Sequence, residues 1–371
     1  MVIRTAYLSQ ESWIVNILLN AEPFGFGPSA AIAHLFRELV DYPLVTRLSY
    51  AGERHTLDLQ RSLPYAECVS FSDKEEFIQK LKGYDLFITA MDFEKAQWAV
   101  DVGVPTIVYD ALAWYWENLP TVAETCEAYI AQDFYGVRER LESSHIPKYT
   151  IVPPAVAIPD IPSATRNTIL INFGGMLNPF WNGLTTKQYV SKIWKGLSAA
   201  LPRHNIRVVG SADHVDAVLG FSLETLSQPE MGDLLAKTGL LLATPGLGNI
   251  YEAAAYALPS IWLPPVNDSQ GRQLCLLREN GVADAFIDWE DLGFKINYKR
   301  PQPQVLSDIR YAIANLDPVS VEEVIRTRLV CTNRNVALPS VLTEFGNDGA
   351  AVLGQRVREV ITRLAEKVQN G

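Results

Sequence analysis

The sequence predicts an α/β protein built from two doubly wound parallel sheets, and three observations carry that reading. Short runs that are apolar throughout alternate with amphipathic stretches, the pattern of parallel strands covered by helices on both faces. The chain has 371 residues, more than one ordinary core encloses and enough for two. Between the two sets of runs, residues 152–165 (VPPAVAIPDIPSAT) hold four prolines and no periodicity, as a linker does.

Taken in order, the strand candidates of the first half are 14–19 or the preceding 4–8, then 45–49, 85–89, 105–109, 128–131 and 150–152. Those of the second half are 168–173, 207–209, 239–243 and 260–263. Each is a short run of aliphatic, β-branched or aromatic residues. Between them, 30–39, 75–81, 187–200 and 249–256 repeat apolar residues at helical spacing. A last amphipathic stretch, 349–368, follows an irregular segment and is long enough to cross back onto the first half. The expected division is therefore a first domain over 1–155, a second over 156–346, and a C-terminal helix within 347–371.

Composition bounds the partners. Nearly half the residues are apolar and evenly spread, so the chain is globular. A formal charge of −10 argues against nucleic acid and against a basic face on anionic lipid. No run approaches the roughly 20 apolar residues of a membrane span, so no stable membrane insertion is expected. The N-terminal run is broken by Gln10, Glu11 and Ser12 and does not read as a signal peptide. Cys68, Cys126, Cys275 and Cys331 lack metal-type spacing and read as buried free thiols in a reducing cytoplasm. Nothing in the sequence fixes the oligomeric state.

The most informative stretch is 244–253, TPGLGNIYEA, which follows a strand-like run, TGLLLA. After Thr244, Pro245, Gly246 and Gly248 mark a turn into a helix. The first backbone N–H groups of that helix, at Leu247, Gly248 and Asn249, are left unpaired where the helix dipole favours negative charge. That is a phosphate site. Glu252, about one turn along, faces the same crevice and can accept two hydrogen bonds from a ribose diol. Read alone, the stretch fits equally a plain turn and a solvated glutamate. The next strand ends in VNDSQGRQL, where Asn267, Asp268 and Gln270 offer donors and acceptors suited to vicinal hydroxyls.

These two segments resemble the donor region of nucleotide-sugar glycosyltransferases with the two-domain GT-B fold. Thr244 to Glu252 is similar to the start of the plant secondary-product glycosyltransferase motif, whose glutamate binds ribose. Asp268 and Gln270 fall where that motif places its sugar-binding Asp-Gln pair, with Ser269 inserted between them. A second resemblance is to the bacterial N-acetylglucosaminyltransferase that makes lipid II. NFGGMLNPF (172–180) is similar to that family's glycine loop, with Gly174, Gly175 and Met176 at a strand end where backbone amides approach a diphosphate. LSQPEM (226–231), ending in Met231, resembles its nucleobase-reading segment, and LLRENGVA the helix after the sugar contacts. The resemblance covers most of 166–285 and implies two Rossmann-like domains facing a cleft, with a nucleoside-diphosphate sugar, UDP- or dTDP-linked, as co-substrate and no cofactor.

The first domain is then expected to bind the acceptor. PFGFGPSAAIAHLFREL (23–39) resembles the acceptor-side glycine loop of the lipid II enzyme family, with Gly25 and Gly27 in the turn and Ser29 where that family usually carries a histidine. His34 is expected to be packed. In TIVYDALAWYW (106–116), Asp110 ends a strand beside Trp114, Tyr115 and Trp116. A carboxylate among apolar rings loses solvation, which raises its pKa and suits a general base, while Trp114 and Trp116 would stack on an acceptor ring. A helix-capping aspartate with core tryptophans fits the same residues, and both roles could coexist.

The expected reaction is attack by an acceptor hydroxyl or amine on the anomeric carbon while the nucleoside diphosphate leaves. Its charge would be met by loop amides, without a metal, since no Asp-x-Asp stands at a strand end. The acidic balance favours a soluble small-molecule acceptor over a lipid-linked one. Three other readings stand beside this one. They are an epimerase or hydrolase of the same fold, an inactive scaffold that binds nucleotide, and a nicotinamide-dependent dehydrogenase, the last without a complete G-x-G-x-x-G after the first strand.

Overall fold

The computed structural model describes residues 15–53, 55–71, 73–156, 165–176, 181, 183–202, 204–211, 223–283, 285–331 and 337–370. The strand alternative at 4–8, most of the proline-rich break and residues 177–180 of the first glycine loop lie outside these.

The first half runs β1 (Val15–Ala21), α1 (Gly27–Leu39), β2 (Val45–Ala51), α2 (His55–Gln60), β3 (Glu67–Val69), α3 (Lys74–Leu81), β4 (Leu86–Ala90), α4 (Phe93–Asp101), β5 (Thr106–Asp110), α5 (Val122–Thr125), β6 (Ala128–Gln132), α6 (Val137–Glu142) and β7 (Tyr149–Val152). The second runs β8 (Thr168–Asn172), α7 (Gly183–Ala200), β9 (Ile206–Val209), α8 (Gln228–Ala236), β10 (Thr238–Ala243), α9 (Leu247–Ala255), β11 (Ser260–Trp262) and α10 (Asp268–Glu279). Then follow α11 (Gln302–Asn315), α12 (Pro318–Cys331), α13 (Ser340–Phe345) and α14 (Gly349–Asn370).

All strand pairs are parallel. The first sheet has the order β3-β2-β1-β4-β5-β6-β7 and the second β11-β10-β8-β9. In the first, the chain walks outward from β1 to β3 and returns to β4 on the other side of β1. In the second it walks from β8 to β9 and returns to β10 on the other side of β8. Each reversal opens a crevice at the carboxyl ends of the two central strands, where open α/β sheets bind ligands. The two crevices position the candidate site.

The central strands are buried on both faces, which is why their sequences read as unbroken apolar runs. A buried polar residue, Asn20, fixes the register at the first crevice. Its Nδ2 donates to the Ala51 carbonyl on β2 at 2.9 Å, and its Oδ1 accepts from Thr89 Oγ1 on β4 at 2.7 Å. Helix α1 covers the sheet with Ile32, Leu35, Phe36 and Leu39. Against the same core lies α14, which buries Leu353, Val357, Ile361 and Leu364 there. Arg358 Nη1 on α14 donates to the Glu38 carbonyl of α1 at 2.8 Å. Strand β3 carries no pattern that predicts it: Glu67 and Val69 are partly buried, and Cys68, expected as a buried thiol, is exposed at the sheet edge.

Candidate functional site

The second crevice is formed by the loops after β8 and β10. After Asn172 the chain turns at Gly174, which has φ 69° and so occupies the left-handed region that glycine enters without strain. Side-chain amides bind this loop to its neighbour. Asn172 Oδ1 accepts from Gly174 N at 2.8 Å, and Asn172 Nδ2 donates to Asn249 Oδ1 at 2.9 Å. Asn249 Nδ2 in turn donates to the Thr244 carbonyl at 2.8 Å. Thr244 is itself buried, its hydroxyl on the Phe173 carbonyl. Asn249 and Thr244, expected as ligand contacts, therefore use their side chains to hold the two loops together.

Gly246 caps α9 in an extended conformation, with φ −81° and ψ 149°, and the first helical bond runs from Ile250 N to the Gly246 carbonyl. The amides of 247–249 precede it, as a phosphate cradle requires. A Cβ at Gly246 would lie 3.7 Å from Gln270 Nε2 and one at Gly248 would meet nothing within 4 Å, so the mouth of this helix is open. Leu247 is buried beneath it, Met176 (φ 46°) is buried beside the first loop, and Met231 is partly buried on α8.

Glu252 stands one turn into α9. It is half-buried, and its carboxylate has no hydrogen-bond or ion-pair partner among the described residues; burial pushes its pKa up to about 7. A carboxylate so placed is costly unless a ligand's donors reach it.

The expected sugar contacts are largely occupied. Asn267 caps α10, its Oδ1 accepting from Gln270 N at 2.8 Å and from Ser269 Oγ at 2.9 Å. Asp268 is 1% exposed and accepts from the Tyr115 hydroxyl at 2.5 Å and from Gln302 Nε2 at 3.3 Å. Gln270 uses its Oε1 on Val266 N, while its Nε2 has no partner among the described residues and faces Gly246.

On the first sheet three expectations are corrected. Ser29 is fully buried on α1, its hydroxyl accepting from Gln60 Nε2 at 2.9 Å, because the serine faces α2 and not the cleft. Trp114 is buried against Phe134, ring centroids 5.5 Å apart, and is core. Asp110 is fully buried, with Oδ1 accepting from Leu112 N and Oδ2 from Trp116 Nε1 and Tyr129 Oη. Burial does raise its pKa, to about 6, against the pull of Tyr129, Leu112 and Trp116. Both oxygens are thus engaged inside the protein, in hydrogen bonds that tie down the loop after β5 and leave neither oxygen exposed. Trp116, partly exposed, remains at the surface of that loop. His34 is partly buried on α1, and desolvation, with Arg37 nearby, lowers its pKa to about 4.

The carboxylate that does stand at the first crevice is Glu22, the residue after β1. Burial first and the Asp92 carboxylate second push its pKa up to about 7, with Lys95 pulling the other way. Lys95 is committed to Asp92 at 2.8 Å and to Glu53 at 3.2 Å. The Glu22 side chain has no hydrogen-bond or ion-pair partner among the described residues. Glu22 carries no motif that singles it out in the sequence; its place directly after the central strand is the one usable signal.

The two crevices face each other. A Cβ on Gly175 would fall 2.7 Å from the backbone of Gly25 (φ 66°), so the two glycine loops touch. Gly27, at the start of α1, stays open. Gln228 on α8 donates to the Ala30 carbonyl at 3.1 Å and accepts from Arg37 Nη1. Tyr251 Oη on α9 donates to the Asp133 carbonyl at 2.7 Å. Together with Tyr115 on Asp268, these contacts close the cleft.

No family model and no curated protein matches the chain. Solved structures do. The spinosyn forosaminyltransferase SpnP aligns with TM-score 0.55 at 11% identity over 94% of this chain and 99% of its own. Acinetobacter baumannii MurG aligns with TM-score 0.53 at 10% identity, over 93% and 99%. Medicago truncatula UGT71G1, complexed with UDP-glucose, aligns with TM-score 0.52 at 9% identity, over 95% and 98%. At such identities the likeness speaks for the fold, which is that of the GT-B glycosyltransferases: two Rossmann-like domains facing a cleft.

Proposed function

We propose, starting from that fold, that the protein transfers a sugar from a nucleoside-diphosphate sugar, UDP- or dTDP-linked, to a soluble small-molecule acceptor. The observation that carries the proposal is Glu252. It is a half-buried carboxylate without a hydrogen-bond or ion-pair partner among the described residues, one helical turn from an open helix N-terminus, at the switch point of the second sheet. A ribose diol and a diphosphate satisfy both features at once. That UGT71G1 is recorded with UDP-glucose supports the same class of donor. In this reading residues 1–155 bind the acceptor, 156–346 bind the donor, and the C-terminal helix within 347–371 belongs with the first.

Chemically, Glu22 takes the proton of the acceptor hydroxyl as the acceptor oxygen forms its bond to the anomeric carbon. The bond from that carbon to the diphosphate oxygen breaks, and the electron pair leaves on the nucleoside diphosphate. The amides of Gly175 and of the first turn of α9 meet the charge, each well-placed donor contributing about a hundredfold in rate. Gln270 Nε2, facing Gly246, is the free donor for a sugar hydroxyl.

The test is calorimetric titration of UDP, dTDP, GDP, ADP and NAD into the wild type and Glu252→Ala. Selective binding of one nucleoside diphosphate, weakened about tenfold by the substitution, is the expected result. No binding, or equal binding by the variant, rejects the donor site. Incubation with the matching nucleotide sugars then separates transfer from hydrolysis, which releases free sugar without an acceptor. A binding scaffold takes up nucleotide and turns nothing over.

A further inference from the structure

Asp268 presents a conflict that the geometry itself resolves. It opens α10 at the carboxyl end of β11, beside Gln270, yet its carboxylate is 1% exposed and closed off by the hydroxyl of Tyr115 and the amide of Gln302. Tyr115 belongs to the other half of the molecule, on the loop after β5. Its ring lies under the Arg272 guanidinium at 4.9 Å and edge-on to Trp116 at 4.9 Å. Gln302 Nε2 also reaches the phenol oxygen, at 3.3 Å. A phenol O–H on a carboxylate is chemically what a sugar O–H on that carboxylate would be.

We propose that Tyr115 is a gate on the sugar pocket: its hydroxyl holds, on Asp268, the place that a donor-sugar hydroxyl takes, and donor binding exchanges one for the other. The inference rests on the donor reading above. The exchange conserves hydrogen bonds, so its cost is confined to moving the loop that carries Tyr115. That loop also carries Trp116 and is anchored by Asp110 at its start, through Leu112 N and Trp116 Nε1. Occupation of the sugar pocket thereby reshapes the surface facing the acceptor. Because the contact spans the cleft, it also makes closure different before and after the sugar is bound.

The gate predicts a sign that a supporting role does not. If Tyr115 merely positioned Asp268, its removal would weaken sugar binding. As a competitor, its removal strengthens it, since Tyr115→Phe leaves Asp268 short of a donor that the sugar then supplies.

The experiment titrates UDP, UDP-glucose, dTDP and dTDP-glucose into the wild type, Tyr115→Phe, and Tyr115→Phe combined with Asp268→Asn. Expected is a gain of about tenfold in affinity of Tyr115→Phe for the nucleotide sugar, lost again in the double variant, with nucleoside diphosphate affinity unchanged. Unchanged diphosphate affinity also reports that the variants are folded. A loss of nucleotide-sugar affinity, no change, or an equal gain for the bare diphosphate overturns the gate and leaves the donor reading standing. Failure of the wild type to bind any of the four overturns both.

Discussion

Glu22 and Glu252 share an unusual condition: each is a half-buried carboxylate without a hydrogen-bond or ion-pair partner among the described residues, and burial pushes each pKa up to about 7. For Glu22 the consequence is a pH dependence of definite sign. As the general base of the proposed transfer it would act when deprotonated, so the rate is expected to fall as pH drops below about 7 and to level off above it. Glu22→Gln is expected to lower kcat/KM by about 10²- to 10⁴-fold and to flatten that limb, with nucleoside diphosphate affinity retained. A pH–rate profile of the variant that keeps the wild-type limb would remove Glu22 from the chemistry. The sequence made Glu252 legible because a glutamate at fixed distance from a glycine turn is a local pattern. Glu22 and Asp110 are each one carboxylate at a strand end, and the sequence does not distinguish the open one from the one consumed by Tyr129 and Trp116.

At the level of elements, the strands were legible wherever a run of buried aliphatic residues is long enough to carry a signal, as in β1, β4 and β10. β3, three residues long with Cys68 exposed between two partly buried neighbours, offers no such run. Loop contacts were less legible, since they depend on residues far apart in the chain. Gly246 illustrates the point. Its backbone is ordinary, and the space a Cβ would enter is open, so Gly246→Ala is sterically tolerated while a longer side chain fills the helix mouth. Gly175 is the opposite case, with a Cβ 2.7 Å from the backbone of Gly25. Gly175→Ala therefore forces the two glycine loops apart. The expected outcome is a loss of turnover of about tenfold or more from displaced catalytic groups, with the melting temperature little changed. Steady-state kinetics alongside thermal melting checks it, and unaltered turnover would mean that the observed approach of the loops is not the working one.

For the whole molecule the sequence suggested two domains with a proline-rich break between them, and packing joins the two halves through a common core. One cluster of buried side chains takes Val108, Trp114 and Phe134 from the first half and Leu247, Ile250 and Tyr251 from the second, with Phe345 against them. Phe134 stands at its centre, 6.2 Å from the Tyr251 ring and 5.8 Å from the Phe345 ring. Apolar area shared across the cleft couples the stability of one sheet to that of the other, whereas a thin polar contact would let each melt alone. Tyr251 adds a directional term, its hydroxyl on the Asp133 carbonyl with both residues buried. Scanning calorimetry is therefore expected to show one cooperative transition for the full chain. Tyr251→Phe deletes that bond and should lower stability by about 1–2 kcal/mol while keeping the transition single, because the ring still fills its place. Tyr251→Ala removes the ring as well, and at a cost of about 3–5 kcal/mol should split the transition in two. Two transitions already in the wild type would show that the halves fold independently and that closure of the cleft contributes nothing to their stability.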